Sequence, residues 1–357
     1  MLAARSARAR VDVDLDAVVG NARAVQQAAG APVLPMVKAN AYGLGAVPVA
    51  RALAPLAWGL GVATLEEAAE LRAAGLDLPL LVFLPLQPDQ VAAHEALGTR
   101  PVIGDLVALD AWRARGDRPF HVELDTGMRR VGFPVDDAAL LAALRARLDG
   151  AAGHEGTFTH FHSSDGDHAE TARQWEALQG AVAALGRRPP LVHAANSAAA
   201  LAGTRYAGDL VRPGIYLYGG TAGPHRPRPV ARFSARVVAV RRLTAGDSVS
   251  YGATWRARAP TVLATVAAGY ADGVPRSLSS RGVVDIGGHA WPIAGRVTMD
   301  FTMVATDDDA LAPGDVATLW GSEAVPLDAQ AARAGTISYE LLTAIGARVP
   351  RHHAGGA

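Results

Sequence analysis

The sequence predicts an α/β protein in which an N-terminal (β/α)8 barrel of the TIM type is followed by a mainly antiparallel β domain. Between residues 31 and 220, eight short apolar segments alternate with helix-like or loop segments, the pattern of parallel strands joined by helices. After residue 228 the chain changes to short Val-rich runs bounded by Gly, Asp or Pro, which favours antiparallel strands. A doubly wound open sheet is the competing interpretation of the first region.

The barrel strands are predicted at the apolar segments of the first region. In chain order they are 34–38, 58–63, 80–84, 101–103, 120–125, 156–161, 191–194 and 209–212. Helices are predicted between them where Ala, Leu and Glu are frequent, clearest at 64–75, 138–148 and 170–185. The first of these helices opens with Thr64-Leu65-Glu66-Glu67, close to a capping-box pattern. The eighth helix has no clear signal.

The second domain is predicted at 229–357, after a barrel domain at 11–228. Its strands are expected at 232–240, 262–267, 283–286, 302–305 and 316–319, and a helix is expected at 339–345. The linker between the domains is the stretch 224–229, which is rich in Pro, Arg and His. A first strand near 10–14 can pair with either domain, and residues 1–10 are a candidate addition to the second.

Composition excludes several classes of function. Half of the 357 residues are hydrophobic, enough for a sizeable core, and the formal charge of zero argues against a nucleic-acid-binding surface. The absence of Cys excludes disulfides, thiolate metal sites and thiol catalysis. The basic N-terminus lacks the apolar core of a secretory signal, and no apolar stretch is long enough to span a membrane. A soluble, cytoplasmic protein is therefore expected.

Lys38 is the only lysine in the chain, because the 34 basic residues comprise 33 arginines and one lysine. Arginine serves most ion-pair roles of lysine, but it cannot lose its proton and act as an amine nucleophile. Any side-chain amine chemistry must therefore come from Lys38, which ends the first predicted barrel strand. The alternative is an ordinary lysine with its charge in water, in a composition that favours arginine.

Polar residues follow several predicted barrel strands at their carboxyl ends, where barrel enzymes place their chemistry. The residues at these ends are Lys38 and the segments 125–130, 159–161, 193–197 and 212–215. Together they supply one amine, two or three guanidinium groups, two imidazoles, a hydroxyl and a glycine with accessible backbone. Such a set suits a cofactor that carries both an aldehyde and a phosphate.

At these residues the chain resembles the alanine racemases, a family of pyridoxal-phosphate (PLP) enzymes with a barrel followed by a β domain. The matching motifs are VKANAYGLGA (37–46), LDTGMRRVGF (124–133), FTHF (158–161), HAANSAA (193–199), RPGIYLYG (212–219), SYGATW (250–255), GYADGVPR (269–276), GRVTMDF (295–301) and ISYELLTAIGARVPR (337–351). Each motif alone is short, but nine in order across both predicted domains make the resemblance specific.

The resemblance implies that Lys38 carries PLP covalently and then acts as a catalytic base, which requires a lowered pKa. Arg212 would face the pyridine nitrogen, and its permanent charge would keep that nitrogen unprotonated and suppress transamination. Arg130 would contact the phenolic oxygen of PLP and the substrate carboxylate. The other implied cofactor contacts are Tyr42, Ser197, Gly214, Ile215 and Tyr339 at the phosphate, His160 against the ring, and His193 with Asn196 supporting the ring and Arg212.

A second base on the opposite face of the substrate is implied as well. In this family the role belongs to the residue that matches Tyr251, which reaches the site from the partner subunit, so the resemblance implies a homodimer with shared active sites. Met299, Asp300 and Tyr270 would line the entry and the substrate carboxylate pocket, also from the partner subunit. Sequence alone would make Tyr251 only an aromatic residue at a strand end.

Two positions depart from the family pattern. Many relatives carry a lysine, modified to a carbamate, where this chain has Glu123, and a carboxylate there could pair with Arg130 directly. Whether Glu123 replaces the modified lysine is left open by the sequence. The loop after FTHF contains His160, His162, Asp165, Asp167 and His168, which could be a metal cluster. A solvated loop is the favoured interpretation, and no metal site is expected.

The expected function is PLP-dependent interconversion of L-alanine and D-alanine by two bases, Lys38 and Tyr251 of the partner subunit. Supply of D-alanine for peptidoglycan is the role that the family implies. The alternatives are a serine or broader-specificity racemase, a PLP-dependent amino-acid decarboxylase and a non-catalytic PLP carrier. Decarboxylases of this architecture use a cysteine that this chain lacks, and single-barrel carriers lack the second domain.

Overall fold

The computed structural model describes residues 7–356. Its strands are β1 (Ala9–Asp14), β2 (Leu60–Val62), β3 (Leu80–Pro85), β4 (Arg100–Ile103), β5 (Phe120–Asp125), β6 (Phe133–Pro134), β7 (His154–Phe158), β8 (Leu191–His193), β9 (Ala231–Leu243), β10 (Ser248–Val249), β11 (Trp255–Arg256), β12 (Thr261–Val266), β13 (Val283–Ile286), β14 (His289–Pro292), β15 (Thr302–Thr306), β16 (Val316–Trp320) and β17 (Arg351–Ala354). Its right-handed helices are Leu15–Ala29, Ala46–Leu53, Leu65–Ala73, Val91–Leu97, Leu106–Arg113, Ala138–Leu148, His168–Ala184, Ser197–Leu201, Leu327–Ala334 and Ser338–Thr343.

The parallel strands of the first region close into a barrel. β2, β3, β4, β5, β7 and β8 are neighbours in that order. Segment 33–37 pairs with the β2 strand on one side and with segment 209–213 on the other, where Leu34 N donates to Val211 O at 2.8 Å. A 2.9 Å hydrogen bond from the Asp209 amide to β8 completes the ring. The predicted barrel is confirmed, and the open-sheet alternative is wrong.

The sixth barrel strand begins earlier than predicted. It runs over His154–Phe158 rather than 156–161, which leaves His160 in the loop that follows. The apolar pattern misses its start because His154 is polar, yet this imidazole is buried and stacks on Phe120 with ring centroids 5.6 Å apart. His160 is therefore carried by the loop after this strand and not by the strand itself.

Capping side chains explain where the outer helices begin. Thr64 Oγ1 accepts a hydrogen bond from Glu67 N at 3.3 Å, as the capping pattern predicts. Asp137 and Asp167 accept from the first-turn amides of the two later helices that the sequence predicts. β5, enclosed by these helices, is buried at all six residues, as expected for a parallel strand covered on both sides.

The second domain is a largely antiparallel sheet. Its main path runs β14, β13, β16, β9, β1 and β17, while β12 pairs with β9 and β15 pairs with β12. β1 pairs antiparallel with β9 and parallel with β17, so the strand near 10–14 joins this sheet and not the barrel. The candidate addition of residues 1–10 to this domain stays a prediction, and residues 1–6 of it lie outside the described residues. The boundary between 228 and 229 stays a prediction.

None of the helices within residues 7–356 is both long and apolar enough to cross a membrane.

Candidate active site

The carboxyl ends of the barrel strands surround a cavity of about 1090 Å³. Residues that the sequence singles out from both predicted domains lie in its wall. They are Lys38, Tyr42, Arg130, His160, Asn196, Ser197, Arg212, Gly214, Ile215 and Tyr339. The strand-end rule therefore locates one continuous site, although its members are scattered along the chain.

The chain turns in a left-handed sense immediately after Lys38. Ala39, Asn40, Ala41 and Tyr42 have φ angles of 53°, 55°, 50° and 54°. Residues with a Cβ rarely adopt this region, and each does so at a cost of about 1 kcal/mol or more. Such strain persists only where surrounding contacts hold it, and it is concentrated at functional sites.

Glu67 supplies one of the contacts that hold this turn. Its two carboxylate oxygens accept hydrogen bonds from Ala39 N and Ala63 N, each at 2.6 Å. Asn40 Oδ1 accepts from Ala46 N at 2.7 Å and closes the turn from its other end. The turn that carries Lys38 is thereby tied to the end of the second barrel strand.

The surroundings of Lys38 favour its neutral amine. Burial lowers the pKa of Lys38, and the cation of Arg130 lowers it further. The carboxylate of Glu67 opposes this change, and Arg212 adds a smaller effect in the same direction as burial. Only the unprotonated amine is a nucleophile or base, and these neighbours together favour that form of Lys38.

Arg212 is a buried cation held from below the cavity. Its Nη1 donates to His193 Nδ1 at 2.7 Å, and its Nη2 donates to the carbonyls of Thr159 (2.8 Å) and Ala194 (3.1 Å). Burial lowers the pKa of Arg212 to about 10, against the influence of Glu123, so it is still charged at neutral pH. Among the described residues its Nε–H has no partner, which leaves a donor for an acceptor in the cavity.

His160 and Glu123 both lie in the cavity wall near this cation. Burial, followed by the charge of Arg212, lowers the pKa of His160 to about 3, so its imidazole is neutral. Burial raises the pKa of Glu123 to about 7 despite Arg212 and Arg130. Within residues 7–356 no hydrogen bond or ion pair joins Glu123 to Arg130, so the direct pairing that a carboxylate would permit does not form here.

A cluster of hydroxyl and amide groups lies across the cavity. Ser197 Oγ accepts from Gly214 N at 2.9 Å, which places a hydroxyl beside the backbone that leads to Ile215. A Cβ at Gly214 would lie 2.2 Å from the Tyr42 hydroxyl oxygen, so only glycine permits this close approach. Tyr42 stacks on Tyr218 at 4.5 Å, and burial raises its pKa, so it remains a neutral donor.

Four of the predicted residues lie outside this cavity wall, on the second domain. Tyr251, Tyr270 and Met299 are exposed, with 71%, 45% and 53% of their surface accessible. The turns that carry Tyr270 and Met299 adjoin, since Tyr270 N donates to the carbonyl of Thr298 at 2.9 Å. Asp300, in the same region, pairs with an arginine at 2.7 Å. A single chain therefore does not bring these side chains to Lys38.

The strain around Tyr251 resembles that around Lys38. Ser250 and Ala253, which flank it, have positive φ angles of 65° and 48°. Ser250 Oγ donates to the carbonyl of Arg296 at 2.7 Å and holds this turn. Backbone strain of this kind is concentrated at functional sites, and here it lies beside an exposed aromatic side chain.

Asn196 and the His- and Asp-rich loop have identifiable structural partners. Asn196 Oδ1 accepts from Ser164 Oγ at 2.7 Å and from Ala199 N at 3.2 Å, which caps a helix. Asp167 caps the following helix, and His162 Nδ1 lies 2.6 Å from Ser163 Oγ. Across residues 7–356 no group of three or more His, Cys, Asp or Glu side chains could hold a metal ion.

Sequence reasoning missed residues that act on the site from outside it. Glu67 has no motif of its own and is recognised only by its contact with the turn after Lys38. His121 and Glu155 lie beneath His193 in the barrel interior. His121 is hydrogen-bonded to His193 on one side and to Glu155 on the other. The only sequence signal for His121 is a polar residue at an inward position of a buried strand.

Comparisons with known proteins agree with this architecture. The family model "Alanine racemase, N-terminal domain" matches residues 13–222, and "Alanine racemase, C-terminal domain" matches residues 230–353. The alanine racemase of Acidiphilium cryptum is 40% identical over 95% of this chain and 97% of its own length. That of Thermobifida fusca is 41% identical over 98% and 99%.

Solved structures are similar throughout the chain. The alanine racemase of a D-cycloserine-producing Streptomyces lavendulae superposes with a TM-score of 0.91 at 35% identity, covering 98% of each chain. The alanine racemase of Bartonella henselae, solved with covalently bound pyridoxal phosphate, gives a TM-score of 0.90 at 31% identity over 98% of this chain and 100% of its own. The barrel and the second domain are thus those of a known family, and the chain belongs to the alanine racemases.

Proposed function

We propose that the chain is a PLP-dependent racemase that interconverts L-alanine and D-alanine with two bases, Lys38 and Tyr251 of the partner subunit. Membership of the family makes it an isomerase. The observation that carries the proposal is the single amine of the chain, Lys38, set in the cavity wall with a lowered pKa. Supply of D-alanine for peptidoglycan would be its role in the cell.

The donor set of the cavity fits pyridoxal phosphate. Lys38 would hold the aldehyde carbon, and the hydroxyls of Tyr42, Ser197 and Tyr339 with the Ile215 amide would receive the phosphate. The close approach of Gly214 to Tyr42 provides a narrow cradle suited to an anion rather than to a side chain. When bound, the cofactor supplies the electron withdrawal that acidifies the α-hydrogen of an amino acid.

Arg212 selects among the reactions that such a cofactor allows. Its hydrogen bonds to His193 and to two carbonyls hold a charged guanidinium in the cavity wall. Since this group donates and never accepts, it would leave a ring nitrogen opposite it unprotonated. Electron withdrawal is then weaker, which favours return of the proton to the α-carbon over transamination.

Each base would move a proton on one face of the substrate. Lys38 would take the α-proton of D-alanine, because its neighbours lower the pKa of its amine. Tyr251 of the partner subunit would take that of L-alanine, as the exposed position of this side chain suggests. Arg130, in the cavity wall beside Lys38, would bind the substrate carboxylate.

Solvent deuterium incorporation tests the two assignments separately. In deuterated water, Tyr251→Phe should lose α-deuterium incorporation into L-alanine far more than into D-alanine. Lys38→Arg, which cannot supply a neutral amine, should abolish both. Equal losses from both enantiomers in Tyr251→Phe, or retained activity in Lys38→Arg, would contradict the two-base assignment.

The homodimer and the substrate range are tested independently. Size-exclusion chromatography with light scattering should give twice the 36.9 kDa chain mass. Mixing Lys38→Ala with Tyr251→Phe should restore part of the activity, because some mixed dimers then contain one intact site.

Turnover of serine as fast as alanine would favour the broader racemase, and release of carbon dioxide would favour the decarboxylase.

A further inference from the structure

A column of polar side chains descends through the barrel interior from the site to the opposite mouth. Below Arg212 lies His193, whose Nε2 is 2.8 Å from Nδ1 of His121. His121 Nε2 is 3.1 Å from Glu155 Oε2, and Arg100 Nε donates to the same carboxylate oxygen at 2.7 Å. Both imidazoles are fully buried, whereas the side chains of Arg100 and Glu155 are about one-fifth exposed at the amino-terminal end of the strands.

The direction of every hydrogen bond in this column is determined from its two ends. A guanidinium only donates, so His193 must accept at Nδ1 and carry its proton on Nε2. It then donates to His121 Nδ1, which leaves the proton of His121 on Nε2. A carboxylate only accepts, and Glu155 receives that proton. Two neutral imidazoles therefore satisfy every partner without an additional proton.

We propose that Glu155 and His121 are positioning residues which, by selecting the Nε2–H tautomer of His193, hold the Arg212 guanidinium in the orientation that the cavity requires. The inference rests on the proposed function, in which Arg212 faces the cofactor. A carboxylate that orients an imidazole at a distance from the reacting atoms is a known device of triads and metal sites.

The electrostatics of the column support this assignment. Burial lowers the pKa of His193, and the charge of Arg212 lowers it further. Burial also lowers the pKa of His121, against the opposing effect of Glu155, so both rings stay neutral. Burial raises the pKa of Glu155, but hydrogen bonds from His121 and Arg100 outweigh it and keep the carboxyl ionised. Proton conduction to the cavity is excluded because the column ends in a guanidinium, which does not release its proton.

Histidine-selective ¹⁵N NMR of the full-length enzyme tests the column directly. In the parent protein, both His121 and His193 should carry their proton on Nε2. Glu155→Leu should shift at least one of them towards the Nδ1–H tautomer, because the terminal acceptor is gone. Glu155→Gln, whose amide oxygen can still accept, should keep the parent tautomers. A proton on Nδ1 of either ring in the parent would overturn the proposal, even if Glu155→Leu does not fold.

Steady-state kinetics distinguishes positioning from general stability. Glu155→Leu should lower kcat by about tenfold, as loss of an outer orienting partner commonly does, with little change in KM for alanine. Glu95→Leu is the matched control, since Glu95 is similarly exposed and also pairs with arginines, but on the outside of the barrel. Unchanged tautomers in Glu155→Leu, or equal losses in Glu95→Leu, would contradict the assignment. Failure of the parent to bind PLP would reject the proposed function while leaving the tautomer result intact.

Discussion

Replacing Glu123 by glutamine is expected to remove a pH dependence of stability that comes from one buried carboxyl. The pKa of Glu123 rises from 4.5 to about 7 on folding, chiefly through burial. Between these pH values the folded chain holds a proton that the unfolded chain has lost. Stability therefore falls as the pH increases, and the loss is complete above about pH 7.

The magnitude follows from the size of this change. At 1.36 kcal/mol per pKa unit, a rise from 4.5 to about 7 destabilises the ionised protein by about 3 kcal/mol. From the two pKa values, about 2 kcal/mol of this stability is lost as the pH rises from 5.5 to 8.5. Glutamine is neutral at every pH, so Glu123→Gln should gain this amount over the parent across the same interval.

Urea unfolding followed by tryptophan fluorescence, at fixed protein concentration from pH 5.5 to 8.5, measures the difference. Glu176→Gln provides the control, because this glutamate lies on the surface, where substitutions change stability by about 0.5 kcal/mol or less. A constant difference between Glu123→Gln and the parent at all pH values would refute the reasoning. So would a gain that appears towards low pH.

Two further predictions concern the backbone around the cavity. Glu67→Ala should destabilise the protein by about 2 kcal/mol in urea unfolding, because the amides of Ala39 and Ala63 lose their shared acceptor, and Glu67→Gln should lose less. Equal stability of Glu67→Ala and the parent would show that these two hydrogen bonds do not hold the turn after Lys38. Gly214→Ala should lower the Tm, since its Cβ would lie 2.2 Å from the Tyr42 hydroxyl, and adding Tyr42→Phe should restore part of the loss. A double variant no more stable than Gly214→Ala would place the strain elsewhere.

Local patterns predict much of the fold. Apolar runs locate the barrel strands, and the capping pattern at Thr64 marks where a helix begins. The rule that barrel chemistry lies at strand ends then collects Lys38, Ser197 and Arg212 into one cavity before any contact is known. These features are predictable because each depends on a few neighbouring residues or on a general property of the fold.

Other features depend on contacts between distant parts of the chain. The left-handed turn after Lys38 contains three residues other than glycine before Tyr42, and only Asn40 among them favours it locally. Glu67, well along the chain, supplies the contact that ties the turn to the second barrel strand. Which ring nitrogen of His193 carries the proton depends on Glu155, acting through the ring of His121. Periodicity records which face of an element is buried, but it does not record which polar groups meet inside.

The exposed residues of the second domain show a different limit. Tyr251 and Met299 lie on the surface of one chain, and no pattern in the sequence marks them as catalytic. Their assignment depends on the family resemblance and on a partner subunit that would bring them to the site. A dimer interface at these residues stays a prediction. The structure shows that the turns that carry them are joined to one another by hydrogen bonds.

The central claim is that Lys38 carries the cofactor, and borohydride reduction followed by tryptic mass mapping tests it most directly. Trypsin cleaves after unmodified Lys38, giving fragments 24–38 and 39–51, whereas a modified lysine leaves fragment 24–51 intact. Reduction of the PLP-loaded enzyme should yield fragment 24–51 with the mass of one phosphopyridoxyl group. Recovery of unmodified 24–38 and 39–51, with the label at the N-terminus or absent, would contradict the account.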